Sequence, residues 1–220
     1  MVSLDIETTL WDAGARVVVG IDEVGRGALA GPVSVGVAAV SRCDTWPEGL
    51  ADSKRLKAAV RENLIPAIRS FTVAHAVGHA SAQEIDAVGI VAALRLAGQR
   101  ALGAIARAGV EADAVLLDGS HDWLSAPAAD LFSADAEETV PVPRVTMVVK
   151  GDDTCVSIAA ASVLAKVERD ALMKAAHDDH PAYGWAANKG YGAQGHLAAL
   201  RENGPSPLHR VTWKLPALAV

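Results

Sequence analysis

The stretch VVVGIDEVGRGALAGPVSVGVAAV, residues 17–40, decides the fold. Its first part, VVVGIDE at 17–23, is β-branched and apolar, and PVSVGVAAV at 32–40 alternates in the same manner. Both predict strands. Between them Gly25, Gly27 and Gly31 follow a strand in a Gly-x-Gly-x-x-x-Gly pattern, which invites a dinucleotide-binding reading. That fingerprint needs the glycines to open a helix whose N-terminus meets the pyrophosphate, whereas Pro32 here leads into a second strand. A hairpin fits better, with exposed backbone N–H groups and Arg26 placed beside Asp22 and Glu23. Neighbours on a strand point to opposite faces, so these two acids converge only if the strand ends or twists there.

Outward from the hairpin, LKAAVRENLIPAIRSF has helical spacing with Pro66 as a possible interruption, and TVAHAVGHA at 72–80 returns to strand alternation. Ser81 with Glu84 forms a capping-box pattern opening a helix that runs to Gly109. AVLLDG at 114–119 and VTMVVKGDD at 145–153 read as short strands ending in acids. SIAAASVLAKVERDALMKAAHDD reads as a long helix whose small first half packs on a sheet, and one more short helix is expected in the glycine- and proline-rich remainder. The pattern predicts an α/β domain over 16–220, a mixed five-stranded sheet flanked by helices with a small helical C-terminal extension, and a loose lead-in over 1–15.

Composition restricts function. The 220 residues carry 26 acidic against 20 basic side chains, a net −6, which argues against a protein that coats nucleic acid through bulk positive charge. Two cysteines, Cys43 and Cys155, make neither a disulfide framework nor a zinc cluster. No uninterrupted apolar stretch approaches the ~20 residues of a membrane span, and Asp5 and Glu7 stand where a secretory signal places positive charge. A cytoplasmic protein without membrane association is therefore expected.

The chemistry lies in the strand ends. Asp22 and Glu23, Asp118, and Asp152 with Asp153 all close apolar strands, and so are delivered to one edge of one sheet. Carboxylates gathered without cationic partners repel, and divalent metal relieves that. Oxygen ligands without paired histidines suit Mg²⁺ or Mn²⁺, and four acids can hold two such ions, one activating water and one stabilising the leaving oxygen of a phosphodiester.

GIDEVGRGALAGP, ADSKRLK, LLDG, VVKGDDTCVSIAAASVLAKVERD, HPAYGWAANKGYGAQGH and GPSPLHRVTW together resemble bacterial type 2 ribonuclease H, the ribonuclease HII family, from about Val17 to Leu215. The resemblance implies a ribonuclease H-like fold, a two-metal Mg²⁺ or Mn²⁺ site, and cutting of RNA–DNA hybrids and of duplex DNA carrying single ribonucleotides. It implies roles in ribonucleotide repair and primer removal, and a monomer. Carried over, the metal-binding and catalytic acids are Asp22, Glu23, Asp118 and Asp152; Asp152 is preferred to Asp153 because the family's acid directly follows Lys-Gly, here Lys150-Gly151. Gly25, Arg26 and Gly27 correspond to the turn that meets the ribose 2′-hydroxyl, and Tyr191 to a tyrosine near the sugar at the RNA–DNA junction. Lys54, Lys189 and Arg210 resemble phosphate contacts, and Lys166 a residue that orients the acids or its own helix. Ala28 stands where proline is common, HRVTW replaces His-Arg-x-Ser-Phe, and the segment from Gly119 to Val145 is longer than usual. Its acids Asp130, Asp135, Glu137 and Glu138 are expected to point away from substrate. Readings from other classes are a junction-resolving nuclease, a hybrid-binding module without catalysis, and a dinucleotide-dependent oxidoreductase.

Overall fold

The runs on either side of the glycine turn pair as expected. In the structure, a computed structural model describing residues 2–125 and 140–216, strand β1 (Val17–Val24) lies antiparallel to β2 (Val33–Ser41), from Val17↔Ser41 to Val24↔Ser34. The glycines therefore close a hairpin and do not open a helix, which removes the dinucleotide fingerprint. Strand β3 (Ala74–Ala80) extends the sheet antiparallel beyond β2, while β4 (Ala114–Asp118) and β5 (Val145–Val148) add parallel strands beyond β1. The order is β3-β2-β1-β4-β5. Asp130, Asp135, Glu137 and Glu138 lie outside the described residues.

Seven helices surround this sheet among the described residues: α1 (Asp5–Asp12), α2 (Ala58–Phe71), α3 (Ala82–Arg107), α4 (Gly151–Thr154), α5 (Val156–Asp179), α6 (Trp185–Asn188) and α7 (Gln194–Asn203). Strand alternation divides the core in two. Val19, Ile21, Val35, Val37, Val115 and Leu117 face α3, which contributes Ile85, Leu94, Ala97 and Ile105. Val18, Ala38, Val40 and Leu116 face α5 with its Ile158, Ala160, Ala161 and Val163. The Ser81–Glu84 capping box forms as read from the sequence, with both reciprocal bonds present. By length and composition α3 is apolar enough to cross a bilayer, although it carries Arg95 and Arg100, but its apolar side is used against the sheet.

Three expectations change. The first residues are not loose: Trp11, Val2 and Leu4 are buried, and Glu7 Oε1 in α1 accepts from Ser157 N at 2.8 Å and Ser157 Oγ at 2.7 Å. Cys155 offers α5 no side-chain cap, so a carboxylate 150 residues away satisfies one of the orphaned N–H groups of its first turn. Pro66 does not interrupt α2; it lies on the exposed side, so the carbonyl that lacks its N–H partner can be hydrated. The C-terminal segment holds α6 and α7, preceded by a 3₁₀ turn at Pro181–Tyr183, where one short helix was expected.

Two glycines let α5 approach the sheet. A Cβ on Gly20 of β1 would lie 2.2 Å from the Ser157 carbonyl carbon, and one on Gly36 of β2 would lie 2.2 Å from the Ala161 carbonyl oxygen. Both obstacles are backbone, which cannot swing aside. Gly20→Ala should therefore destabilise the protein by about 3 kcal/mol or more. Gly195→Ala, in α7 with nothing near its Cβ position, should instead gain about 0.5–1 kcal/mol. Urea unfolding checks both; equal midpoints for the two variants would refute the close-approach argument.

Candidate active site

Strands β1 and β4 run parallel with Ile21 opposite Leu117. One step further along each strand, Asp22 and Asp118 come side by side on the face that meets α5. Gly151 N donates to Asp118 Oδ1 at 2.7 Å, which ties the start of α4 to the end of β4 and brings Asp152 to the same edge. Asp22 and Asp152 are each only 5% exposed. Burial raises the Asp22 carboxyl well above the usual carboxylate range, and the charges of Asp118, Glu23 and Asp152 push it the same way while the Ser162 hydroxyl partly offsets them. Asp118 is raised by burial and by Asp152. Glu23 is raised by burial against the opposing pull of Arg26, whose Nη1 stands 3.3 Å from Glu23 Oε1. The two neighbours on β1 thus converge at the strand end, both within electrostatic reach of Asp118.

Among the described residues no three acidic, imidazole or thiol side chains already stand close enough to cage an ion. Protein cations hold two of the acids: Arg26 is on Glu23, and Lys54 Nζ is 3.0 Å from Asp152 Oδ2. The donor chemistry nevertheless fits a hard divalent cation. It is all carboxylate oxygen, and Asp22 is buried with its ionised form penalised by burial and like charge. Asp153 pairs instead with Arg55 at 2.7 Å.

The glycine turn beside these acids is held from within. Arg210, fully buried, donates to the carbonyls of Gly25 (2.7 Å), Arg26 (2.9 Å) and Gly31 (3.1 Å). A planar trans peptide sets N–H opposite C=O, so the N–H groups of Arg26 and Gly27 are directed away from Arg210. Nothing lies within 4 Å of where a Cβ on Gly27 would be. Gly25 has φ +84°, and its Cβ would meet Arg169 Nε at 2.0 Å, so only glycine fits. Gly25 N donates to the Tyr191 hydroxyl at 3.1 Å, and the Arg169 guanidinium lies 5.5 Å from the Tyr191 ring centre. Tyr191 keeps 37% of its surface exposed beside the turn.

Comparison with known proteins identifies the family and the fold. The family model for Ribonuclease HII matches residues 19–216. The chain belongs to the ribonuclease HII family. A Ribonuclease HII of Streptomyces coelicolor is 48% identical over 200 residues, spanning 91% of this chain and 78% of that protein. Among solved structures, the RNase HII of the PCNA:RNase HII complex from Archaeoglobus fulgidus superposes with TM-score 0.66 at 23% identity, covering 90% and 93% of the two chains. Bst-RNase HIII in complex with Mn²⁺ gives 0.63 at 22%, covering 92% and 68%. At such identities the structural likeness concerns the fold. Membership makes this chain a ribonuclease H hydrolase of the endonuclease type.

Within this ribonuclease HII, Asp22, Glu23, Asp118, Asp152, Gly25, Arg26, Gly27 and Tyr191 gather at one edge, with Lys54 on Asp152. Arg210 is not a surface phosphate contact. Its charge is buried among carbonyls, and burial lowers its pKa to about 10. Lys166 pairs with Asp170 one helical turn along at 2.7 Å, so it braces its own helix and not the acids. Lys189 lies off the acidic edge, its Nζ donating to Ala186 O. Two groups escaped the sequence reading. Arg169, fully buried, donates to Ala30 O, Pro32 O and Lys189 O; its signal was its place with Ser162, Ala165 and Met173 on the buried stripe of α5.

The other missed group is a histidine relay behind Tyr191. Ser206 N donates to His209 Nδ1 at 2.9 Å, which puts the His209 proton on Nε2. That proton faces His196 Nε2 at 2.9 Å, and His196 Nδ1 in turn faces Tyr191 O at 2.9 Å. The bonding pattern assigns both rings as neutral. Burial, then His196, lowers the His209 pKa to about 4, below the ~6.5 of an unfolded histidine. The unfolded chain therefore binds the extra proton first, and stability present above about pH 6.5 is lost as pH falls toward 4. A loss of roughly 3 kcal/mol is expected over that window, read as a falling Tm. His209→Gln should start lower and fall less steeply; parallel curves for variant and wild type would refute the relay.

Proposed function

We propose that this ribonuclease HII cleaves the RNA strand of RNA–DNA hybrids and nicks duplex DNA on the 5′ side of single embedded ribonucleotides, leaving 3′-hydroxyl and 5′-phosphate ends. The observation that carries this reading is the Gly25–Gly27 turn, whose Gly25 and Arg26 carbonyls are occupied by Arg210 while the N–H groups of Arg26 and Gly27 are aimed away, next to four carboxylates and Tyr191. A ribose 2′-oxygen can accept from those N–H groups, and deoxyribose has no atom to do so. Leaving such donors unpaired costs about 1–3 kcal/mol, enough for roughly ten- to a hundredfold discrimination from this contact. Tyr191 offers an aromatic face for the sugar beside the turn.

Asp22, Glu23, Asp118 and Asp152 would hold the ions, with Mg²⁺ or Mn²⁺ as the cofactor; the Mn²⁺ complex of Bst-RNase HIII supports divalent metal in this fold. Two such ions supply Lewis acidity for activating water and for the charge on the leaving oxygen. The chain's own part is to orient. Gly151 N fixes the Asp118 carboxylate, the backbone N–H of Glu23 holds Asp22, and Lys54 keeps a positive charge over Asp152 that a substrate phosphate can share. Burial works against the Lys54 charge, but Asp152, Asp22 and Asp52 outweigh it and raise its pKa. No side chain forms a covalent intermediate in this scheme. The same activity would serve ribonucleotide removal and primer removal by a cytoplasmic monomer.

Duplex DNA with one internal ribonucleotide should be nicked with Mg²⁺ or Mn²⁺ and left intact with chelator, as followed by denaturing electrophoresis. Absence of metal-dependent nicking would overturn the proposal. Asp118→Asn should reduce turnover by more than about a hundredfold while duplex binding stays measurable by anisotropy. Tyr191→Ala should weaken the preference for a ribonucleotide over all-DNA duplex more than it lowers the melting temperature; an unchanged preference would remove Tyr191 from recognition.

A further inference from the structure

The four-residue helix α4 carries Asp152 and stops at Cys155, the single extended residue between it and α5 (φ −104°, ψ 132°). Thr154, Cys155 and Val156 include no glycine or proline that would force a stop. Run straight through, one helix would pair Val156 N with Asp152 O, Ser157 N with Asp153 O and Ile158 N with Thr154 O. Residues before and within α1 take a member of each pair instead. Val156 N donates to Ser3 O at 3.2 Å, Ser157 N donates to Glu7 Oε1 at 2.8 Å, and Ser3 N donates to Thr154 O at 2.8 Å. Ser3 and Cys155 thus form a one-residue parallel bridge. Glu7, Cys155, Val156 and Ser157 are fully buried, where a backbone group needs a protein partner, so these bonds stand in for the helical ones.

The break sets where Asp152 stands. An extended residue rises about 3.3 Å where a helical one rises about 1.5 Å, so fusing α4 to α5 would move Asp152 by roughly 2 Å and turn its side chain. Gly151 N, 2.7 Å from Asp118 Oδ1, holds the other end of α4, so the same movement would pull at Asp118. Metal ligands have to stand within about 0.5 Å of their productive positions, which makes a displacement of that size decisive.

We propose that Ser3 and Glu7 are positioning residues for catalysis, holding the break at Cys155 open and so setting Asp152 against Asp22 and Asp118 without touching metal or substrate. This rests on the metal-holding role proposed for those acids. The test is Mn²⁺ binding by the full chain without nucleic acid, read from the electron paramagnetic resonance of free Mn²⁺, beside kcat and KM for duplex DNA with one ribonucleotide. Glu7→Leu, which fills the volume but accepts no hydrogen bond, should weaken Mn²⁺ binding about tenfold and lower kcat with KM little changed. Glu7→Gln, which keeps the accepting oxygen, should bind Mn²⁺ as wild type does even where its melting temperature falls. Ser3→Pro, which removes the N–H given to Thr154, should behave as Glu7→Leu, and Ser3→Ala, which keeps both backbone bonds, as wild type. That second pair carries the same test should Glu7→Leu not fold.

Glu7→Leu and Ser3→Pro variants that lose melting temperature but keep wild-type Mn²⁺ affinity and kcat would overturn the proposal, leaving residues 3 and 7 as parts of the fold alone. Equal loss of Mn²⁺ affinity in Glu7→Gln and Glu7→Leu would overturn it as well, because the bond to Ser157 N survives in the first. Both results presuppose wild-type protein that binds Mn²⁺ and nicks; failure of wild type in either respect overturns the proposed function itself.

Discussion

The active edge depends on how closely α5 lies on the sheet. With Gly20 and Gly36 beneath it, the helix backbone comes within contact of β1 and β2, closer than any side chain would allow. Its first turn is thereby pinned beside β1, and the short α4 that precedes it delivers Asp152 next to Asp22 and Asp118. Glu7 secures the same end by taking Ser157 N, so α1 acts on the site through the helix and not by touching it. Further along, the same helix supplies Arg169, which gathers the carbonyls of Ala30, Pro32 and Lys189. One rigid element thus spaces the acids and the Gly25–Gly27 turn relative to one another.

The charges follow a similar division. Arg169 and Arg210 are buried without carboxylate partners at ion-pair distance among the described residues, a placement tolerable because each guanidinium fork meets three backbone oxygens. Replacing them with lysine would lose that fork geometry. The acids show the reverse condition, with too few donors for the charge they carry. Two divalent ions bound as proposed would contribute +4 against the net −6, leaving about −2 for the loaded protein. A weakly negative surface with cations confined to a few places suits engagement of a short junction and disfavours indiscriminate coating of nucleic acid.

Much of this was readable from sequence because it is local. Strand alternation, the capping box of Ser81 and Glu84, and the acids closing β1 and β4 depend on neighbours a few residues away and appear where expected, whereas the strand read over 145–153 ends at Val148 and Asp152 and Asp153 stand in the short helix α4. Arg210 was misread because an arginine in a Gly-Pro-Ser-Pro loop looks alike whether it faces water or fills a core. Its partners at Gly25 and Arg26 are about 185 residues distant. The first helix was missed for the same reason: residues 1–15 read as a loose lead-in until Ser157, 150 residues on, gives Glu7 a buried partner. His196 and His209 show no local pattern, since each needs the other to fix its tautomer.

These long-range contacts are also what separates the parts of the site that are complete from the part that is not. The turn at Gly25–Gly27, its arginine clamp, Tyr191 and the neutral histidine relay form one continuous hydrogen-bonded body that directs the Arg26 and Gly27 N–H groups outward. Its geometry exists before substrate arrives, so little ordering free energy is lost when a ribose is read there. Asp22, Glu23 and Asp118 are left with raised proton affinities, and among the described residues only Lys54 and Arg26 stand at ion-pair distance from the four carboxylates. On the proposed function, recognition is built into the fold, whereas charge balance at the acids would come from outside it. A chain arranged in this way can hold its sugar-reading surface steady while the acidic edge changes its cations.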